Sequence, residues 1–319
     1  MDRIKIIENW LKIQLNQGFE LVPASSDASF RRYFRIISNN KTYILMDAPP
    51  ELERINHFIN ITNKLAAAEI NSPKIISFDN ELGLILMSDF GSQTFLDVLD
   101  SDNSHELYSK AINALLKIQT KVDTKGLKDY SEELLVNEML LFPEWYLEKF
   151  KKFKLKNQAE MYEIFLLISK KTLTQNKCFI HRDYHSRNLM FIANGTPGIL
   201  DYQDAVLGPL TYDLVSLLKD AYIEWDEDFV LDQSVRYWEK AKQAGLIKNK
   251  DFSSFYEDFE WMGVQRHLKI LGIFSRLSIR DHKNQYLKDI PLVEKYLMAT
   301  TERYRKLHPL RKILDKVIT

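Results

Sequence analysis

The sequence contains little cysteine, no excess of either charge and no long apolar run. Its single cysteine, Cys178, excludes an intramolecular disulfide. Lys and Arg together number 44 and so do Asp and Glu, so the net charge favours neither nucleic acid nor an anionic membrane as a partner. No apolar run approaches the roughly 20 residues that cross a bilayer, and residues 1–9 show no signal segment. We therefore expect a cytoplasmic protein that binds no nucleic acid and no membrane, and no obligatory protein partner is implied.

Internal repeats and low-complexity linkers are also absent from the chain. At 319 residues it is too long for one small core, and the absence of linkers favours two lobes of one unit over independent modules. Near residue 92 the pattern becomes mainly helical, apart from short extended runs between 179 and 202. We predict two lobes, at 1–91 and 92–319.

Local patterns predict the elements of the N-terminal part. Apolar residues at helical spacing predict a helix over residues 1–15, and a second helix within 53–70 ends before Pro73. Alternating apolar residues predict strands in SFRRYFRII, KTYILMD and GLILMSDF. In the helical part that follows, Pro143 is expected to start or kink a helix.

The stretch HRDYHSRN at 181–188 concentrates polar residues between two apolar extended runs. Asp201 ends the next extended run, and a hairpin would bring its side chain to that of Asn188. Carboxylate and amide oxygens suit Mg²⁺, which takes one or two protein ligands beside waters and substrate phosphates. Asp183 precedes Asn188 by five residues and is placed to orient an attacking hydroxyl and take its proton. We predict Asn188 and Asp201 as magnesium ligands and Asp183 as the catalytic base.

Two other interpretations of this stretch remain open. His181, Asp183 and His185 alternate along an extended segment and would suit zinc, although zinc alone leaves Asn188 and Asp201 without a role. A polar turn without chemistry is the second alternative. The residues predicted mainly to hold the loop in place are His181, Arg182, His185 and Asp213.

The motifs HRDYHSRN and ILDYQDA resemble those of the aminoglycoside phosphotransferase and choline kinase-like branch of the protein-kinase-like fold. Further segments between residues 25 and 277, among them SSDASFRRYFR, LMDAPPE and WMGVQRHLKILGIFSRL, are similar to the bacterial N-acetylmuramate/N-acetylglucosamine 1-kinase family. The resemblance implies a bilobal α+β fold, with a small N-lobe of antiparallel sheet plus helices and a mainly helical C-lobe. It implies that the N-lobe at 1–91 binds nucleotide, that a hinge lies at about 87–92, and that the C-lobe at 92–319 carries catalysis and binds the acceptor. It implies that Asp183 is the base and that Asn188 and Asp201 bind Mg²⁺. The implied reaction transfers the ATP γ-phosphoryl group to the anomeric hydroxyl of an amino sugar recovered from the cell wall.

The predicted nucleotide site contains a loop without glycine. A kinase loop whose backbone approaches the phosphates is usually rich in glycine, whereas PASSDASF offers small residues and hydroxyls. The residues predicted to bind nucleotide in this loop are Ser25, Ser26, Asp27, Ala28 and Ser29. The run LILMSDFG predicts the hinge, where the backbone from Met87 to Asp89 would meet the adenine edge.

The expected phosphate-binding lysine is also absent. Protein kinases carry this lysine on a strand, and the equivalent position here is Met46. Lys41 lies at an odd offset from Met46 on the same strand, so its side chain should point to the opposite face. Arg31 and Arg32 are the nearest other cations and point to opposite faces, and Arg32 is predicted to enter the cleft. Glu53 is interpreted as a charge near the start of a helix.

The segment after Asp201 indicates a small acceptor. Gly208 and Pro209 follow within eight residues, so no room remains for the long activation loop that protein kinases use to bind peptides. The residues predicted to contact the acceptor are Gln203, Asp204 and Arg266. Aromatic residues of the C-terminal helices are interpreted mainly as core, with some walling the acceptor pocket.

Two alternatives to an amino sugar kinase remain at this point. One is another small-molecule kinase of the same fold, acting on an aminoglycoside, choline or homoserine hydroxyl. The other is a protein of this fold that binds nucleotide without turnover. The joint presence of Asp183, Asn188 and Asp201 argues against the second, because a protein without catalysis has no need of a complete base and metal set.

Overall fold

A computed structural model describes residues 2–25, 31–193 and 195–318. The N-terminal strands are β1 (Glu20–Ser25), β2 (Arg32–Ser38), β3 (Lys41–Asp47), β4 (Ile75–Asp79) and β5 (Leu84–Ser88). They form one five-stranded sheet in the order β1-β2-β3-β5-β4, and every pair in it is antiparallel. The three strands predicted from alternating apolar residues correspond to β2, β3 and β5.

Helices cover both faces of this sheet, because successive side chains of a strand point to opposite faces. Helix α1 (Arg3–Leu15) contributes Trp10 to the apolar cluster that contains Leu45 of β3. The next residue of the strand, Met46, is fully buried in the cluster of the opposite face, which includes helix α2 (Asn56–Ala67). Both helices lie within the ranges that the sequence predicts.

The rest of the chain is mainly helical. Its helices are α3 (Phe95–Val98), α4 (Ser104–Lys121), α5 (Glu132–Met139), α6 (Gln158–Leu173), α7 (Tyr212–Leu218), α8 (Glu227–Gln243), α9 (Phe252–Asp281), α10 (Ile290–Arg303) and α11 (His308–Leu314), with a π-helical segment at Phe142–Phe150 and 3-10 turns at Asn284–Asp289 and Arg305–Leu307. The π-helical segment carries Pro143 in its first turn, as expected for a proline that begins a helix.

Four short strands interrupt these helices between α6 and α7. They are β6 (Lys177–Ile180), β7 (Leu189–Met190), β8 (Gly198–Ile199) and β9 (Val206–Pro209). Strand β6 pairs with β9 and β7 pairs with β8, both antiparallel. The predicted α+β class, with an antiparallel sheet first and helices after it, is confirmed.

Helix α9 spans 30 residues and packs against α6, α7, α10 and the π-helical segment. Asp251 caps its start by accepting a hydrogen bond from the Ser254 backbone amide. Within the residues that the structure describes, no helix combines the length and the apolar character needed to cross a bilayer.

Gly272 of α9 is a position where one added methyl group should cost stability. A Cβ atom there would lie 2.5 Å from the carbonyl carbon and from the Cβ of Leu141, whereas at Gly263 the nearest neighbour would be at an ordinary 3.6 Å. We expect Gly272→Ala to lower the free energy of unfolding by about 1–3 kcal/mol through overpacking. Gly263→Ala should instead raise it by about 1 kcal/mol through helix propensity. Urea denaturation measures both, and shifts of the same sign would contradict this account.

Candidate active site

Asn188 and Asp201 lie side by side because the chain forms a hairpin between them. Asn188 directly precedes β7, and Asp201 follows the end of β8 by two residues. The Leu200 amide donates to the Asn188 carbonyl at 2.9 Å and so extends the pairing of the two strands. Asn188 Nδ2 lies 3.4 Å from Asp201 Oδ2 and donates to the Asp183 carbonyl at 2.9 Å. The hairpin therefore brings the predicted base and the two predicted metal ligands together.

The backbone of this site is left-handed at two residues. Arg182 has a φ of 78° and Asp201 a φ of 61°. Such a conformation costs a residue other than glycine about 1–3 kcal/mol, so neighbouring groups must hold it. Asp213, in the first turn of α7, accepts hydrogen bonds from the backbone amides of His181 at 2.6 Å and Arg182 at 3.0 Å. Burial raises the pKa of Asp213 to about 7, although these two hydrogen bonds act to lower it.

Positive side chains surround the carboxylate of Asp183. Its side chain is 39 % exposed, and Arg266 Nη1 lies 3.9 Å from its Oδ1. Desolvation by the surrounding protein raises the pKa of Asp183, but the charges of Lys269 and Arg266 outweigh this effect and bring the pKa down to about 2. Arg266 also donates to the Arg182 carbonyl at 2.6 Å, which fixes the backbone next to Asp183. Asp183 is therefore ionised at neutral pH, as a proton acceptor must be.

Glu138 of α5 compensates the cations in the interior. Its carboxylate accepts short hydrogen bonds from Arg182 and Tyr130, and it lies 3.2 Å from Lys269 Nζ. Gln265 adds a hydrogen bond of 3.1 Å. Burial raises the pKa of Glu138, but the charges of Lys269 and Arg182 outweigh it, and the net shift is downward. An ionised glutamate thus links α5 and α9 to the start of the 181–188 stretch.

His181 and His185 flank Asp183 in the sequence. Burial lowers the pKa of His181 to about 4 and also lowers the pKa of His185. His181 Nδ1 accepts from the Asp183 amide at 3.3 Å, and His185 Nε2 lies 3.4 Å from Asn188 Nδ2. Among the described residues, no three His, Cys, Asp or Glu side chains are arranged to hold a metal ion. The zinc alternative therefore has no ligand set in this part of the chain.

A cleft of about 500 Å³, called the main cleft below, lies between the sheet and the hairpin. This volume is in the range of known ligand pockets. The sheet and the segment after it contribute Tyr33, Arg35, Ile44, Met87 and Asp89, and the chain between 183 and 201 contributes Asp183, Asn188, Leu200 and Asp201. Of the predicted phosphate-binding loop, Ser25 ends β1, while Ser26, Asp27, Ala28 and Ser29 lie outside the described residues.

The structure does not bring Arg32 to the main cleft. Its Nε donates to Asp47 Oδ2 at 2.9 Å, and Arg3 of α1 donates to Asp47 Oδ1 at 2.9 Å. Asp47 is fully buried on the face of the sheet that α1 covers, so this carboxylate draws Arg32 to that face. Arg35 lines the main cleft instead, where its Nε donates to Asp89 at 2.7 Å.

A second cavity of about 210 Å³, called the α9 cavity below, lies on the other side of Asp183. Its α9 wall begins with the charged side chains of Arg266 and Lys269 and continues with apolar ones. The apolar part consists of Ile270, Ile273, Phe274 and Leu277. Residues that line both cavities are Asp183, His185, Tyr222 and Tyr286. Asp183 therefore lines both the main cleft and the α9 cavity.

Gln203 and Asp204 are not among the residues that line either cavity. Gln203 is buried and donates to Asp201 Oδ1 at 2.7 Å, so it orients the predicted metal ligand. Asp204 is exposed, and its backbone carbonyl is 3.4 Å from Arg182 Nη1. Of the three predicted acceptor contacts, the structure places only Arg266 in the wall of a described cavity.

Several residues of this site were not predicted from the sequence. Lys269 follows Arg266 by three residues, and that spacing on one helix face was the available signal. Tyr222 and Tyr286 come from segments that no motif marks, and Glu138 lies in an ordinary amphipathic helix. Their places in the site depend on tertiary packing.

The donor set at Asn188 and Asp201 fits a magnesium ion. Asn188 uses its Nδ2 as a donor to the Asp183 carbonyl, which leaves the amide oxygen as an acceptor. One carboxylate and one amide oxygen are hard donors, and Mg²⁺ commonly takes that few ligands from a protein. Both residues line the main cleft, where phosphate oxygens would complete the coordination.

Comparison with known proteins gives the family of the chain. A model of the phosphotransferase enzyme family (APH) matches residues 20–246. N-acetylmuramate/N-acetylglucosamine kinase from Neisseria meningitidis serogroup B is 39 % identical over 100 % of this chain and 97 % of its own length. The protein of the same name from Pseudomonas aeruginosa is 44 % identical over 92 % of this chain and 88 % of its own length.

Solved structures share the fold at low sequence identity. Choline kinase LicA from Streptococcus pneumoniae has a TM-score of 0.69 at 14 % identity, over 94 % of this chain and 100 % of that protein. ADP-bound aminoglycoside phosphotransferase APH(2'')-Ib has a TM-score of 0.59 at 15 % identity, over 91 % of this chain and 98 % of that protein. The expected bilobal, kinase-like architecture is thereby confirmed. The chain belongs to the phosphotransferase enzyme family and, within it, to the N-acetylmuramate/N-acetylglucosamine kinases.

Proposed function

We propose that this protein transfers the γ-phosphoryl group of ATP to the anomeric hydroxyl of N-acetylmuramate and N-acetylglucosamine. The observation that carries the proposal is the position of Asp183, which lines both the main cleft and the α9 cavity. A nucleotide in the main cleft and a sugar in the α9 cavity would meet at this carboxylate. The names of the relatives from Neisseria and Pseudomonas support the choice of sugar.

Asp183 orients the anomeric hydroxyl and receives its proton. As the sugar oxygen bonds to the γ-phosphorus, the bond from that phosphorus to the bridging oxygen breaks and ADP leaves. The low pKa of Asp183 makes it a weak base. A weak base suits a loose transition state. In such a state the bond to the attacking oxygen is barely formed, so the hydroxyl does not have to lose its proton early. Positioning of the attacking oxygen is then the main contribution of this residue.

The other residues of the proposed site hold the reactants. Asn188 and Asp201 would hold Mg²⁺, which neutralises charge on the phosphate oxygens when it is bound. The backbone from Met87 to Asp89, in a hinge at about 87–92, would contact adenine. This hinge would join lobes at 1–91 and 92–319. We assign the reaction to the cytoplasm, where ATP is available.

The side chains that line the α9 cavity suit an acceptor that carries both a carboxylate and hydroxyl groups. Arg266 and Lys269 place two cations in its wall. N-acetylmuramate carries a carboxylate, which these cations attract, and Asp183 and Asp220 in the same lining offer acceptors for its hydroxyl groups. Tyr222 and Tyr286 add aromatic surface against which a sugar ring can pack.

Phosphate transfer from labelled ATP to a panel of acceptors tests the proposal. We expect N-acetylmuramate and N-acetylglucosamine to be phosphorylated, and kanamycin, choline and homoserine to remain unlabelled. The methyl glycoside of N-acetylglucosamine is the matched control, because its anomeric oxygen is blocked and its other hydroxyls are unchanged. Equal labelling of the glycoside would contradict the anomeric position, and absence of label on both free sugars would overturn the proposed function.

A further inference from the structure

Arg31 lies on the side of the sheet that faces the main cleft. It directly precedes β2, and side chains two and four residues later, Tyr33 and Arg35, line that cleft. Alternation along an extended chain places Arg31 on their side and Arg32 on the opposite one. Arg31 is only 9 % exposed. A buried cation thus lies on the cleft side of the sheet, two residues before the lining residue Tyr33, although it is not itself among the residues that line the cleft.

This cation lies close to the position where a strand lysine is missing. Tyr33 of β2 pairs directly with Met46 of β3, so Arg31 is diagonal to Met46 across the two strands. Met46 itself is fully buried in the apolar cluster on that side. Diagonal neighbours in a sheet are about 7–8 Å apart, a distance that a long side chain spans.

Glu53, just before α2, holds Arg31 in place. Arg31 Nε donates to Glu53 Oε2 at 2.9 Å, and Nη2 forms a second, short bond to Oε1. Protein kinases use a pair of this kind, formed by the strand lysine and a helix glutamate. Burial lowers the pKa of Arg31, but Glu53 and the charge of Asp201 raise it to a net upward shift. Asp201 is the predicted metal ligand, so Arg31 is electrostatically coupled to the place where the phosphates would lie.

We propose that Arg31, positioned by Glu53, binds the nucleotide phosphates in place of the missing strand lysine. This inference rests on the proposed function, since it assumes that the main cleft holds ATP. Arginine suits the task because its planar guanidinium group matches the geometry of phosphate oxygens and stays charged at every physiological pH. Arg35, the other cation on this side of β2, is committed to Asp89 and to the Gly91 carbonyl near the hinge.

Isothermal titration with ADP and with adenosine tests this role in the intact protein, with magnesium present and no sugar. Arg31→Met is expected to weaken ADP binding by about 10-fold to 100-fold, because a charge-assisted contact to phosphate is lost, and to leave adenosine binding unchanged. Arg32→Met is the matched control, since the neighbouring arginine lies on the other face, and it should change neither affinity. Glu53 is 34 % exposed, so its carboxylate stays hydrated in Arg31→Met and folding should persist.

Unchanged ADP affinity in Arg31→Met, or an equal loss for ADP and adenosine, would overturn the inference. Arg31→Lys keeps the charge and should retain more ADP affinity than Arg31→Met, and an equal loss in the two variants would also contradict it. Because no sugar takes part, these outcomes are independent of the acceptor assay. A protein that phosphorylates no amino sugar but loses ADP affinity on Arg31→Met would refute the proposed function and support the role of Arg31.

Discussion

Asp183→Asn is expected to lower kcat for amino sugar phosphorylation by about 100-fold to 10,000-fold. Asparagine has nearly the same shape as aspartate but cannot receive the hydroxyl proton. The affinity for ADP should change little, because Asp183 faces the acceptor and makes no bond to the nucleotide in the proposed mechanism. Steady-state kinetics with labelled ATP and titration with ADP measure the two quantities. A loss of less than about tenfold in kcat would refute Asp183 as the catalytic base.

The same substitution at Asp228 provides the control for this experiment. Asp228 is exposed in the first turn of α8, and we expect Asp228→Asn to leave kcat unchanged. The pH profile of the unaltered protein gives a further check. Since the pKa of Asp183 is about 2, its carboxylate is lost only as the pH falls through that value. No decline in rate between about pH 8 and pH 5 should therefore come from Asp183.

Glu138→Gln is expected to lower the free energy of unfolding by about 3–5 kcal/mol, because it leaves buried cations without their carboxylate. Arg182 and Lys269 both lie against Glu138 and are mostly buried. Urea denaturation measures the difference. Glu106→Gln is the matched control, because Glu106 is 69 % exposed and pairs with Lys110 along one helix, and it should cost less than about 0.5 kcal/mol. Equal losses of unfolding free energy in the two variants would show that burial of the ion cluster does not cause the loss in Glu138→Gln.

The pH dependence of this stability difference has a definite sign. The pKa of Glu138 is lowered in the folded protein, so its contribution is complete above the ordinary pKa of 4.5 and is lost as the pH falls through the folded value. The difference between Glu138→Gln and the unaltered protein should therefore be full at pH 7 and shrink in acid. A difference that grows as the pH falls would contradict an ionised Glu138.

The parts of the site that could be predicted from the sequence are those that a short segment encodes by itself. Asn188 and Asp201 meet because one local hairpin joins them, and their residue types indicate the chemistry. Which of Arg31 and Arg32 lies on the cleft side of the sheet could not be predicted in this way, because Arg31 directly precedes β2 and Arg32 begins it. Arg32 and Arg3 both bond to Asp47, which draws Arg32 to the face of the sheet that α1 covers. Arg3 belongs to α1, which precedes the sheet in the sequence.

Sequence proximity also did not predict which residues line the described cavities. Gln203 and Asp204 follow Asp201 closely, but the left-handed backbone at Asp201 and the hydrogen bond from Gln203 direct them away from the described cavities. The α9 cavity takes Arg266 and Lys269 from a helix that begins about 50 residues later in the chain. The packing of α9 against the 181–188 stretch places Arg266 and Lys269 in the cavity wall, and no local sequence pattern predicts this packing.

The division of the α9 wall has a consequence for altering the range of acceptors. Arg266 and Lys269, the charged part of this wall, also hold the 181–188 stretch and the Glu138 cluster. We therefore expect substitutions of these two residues to change rate and stability together. Ile273 and Phe274 line the same cavity without bonds to that cluster. Libraries of variants that aim at sugars with larger N-acyl groups should therefore vary the apolar part of this cavity wall and leave its charged part unchanged.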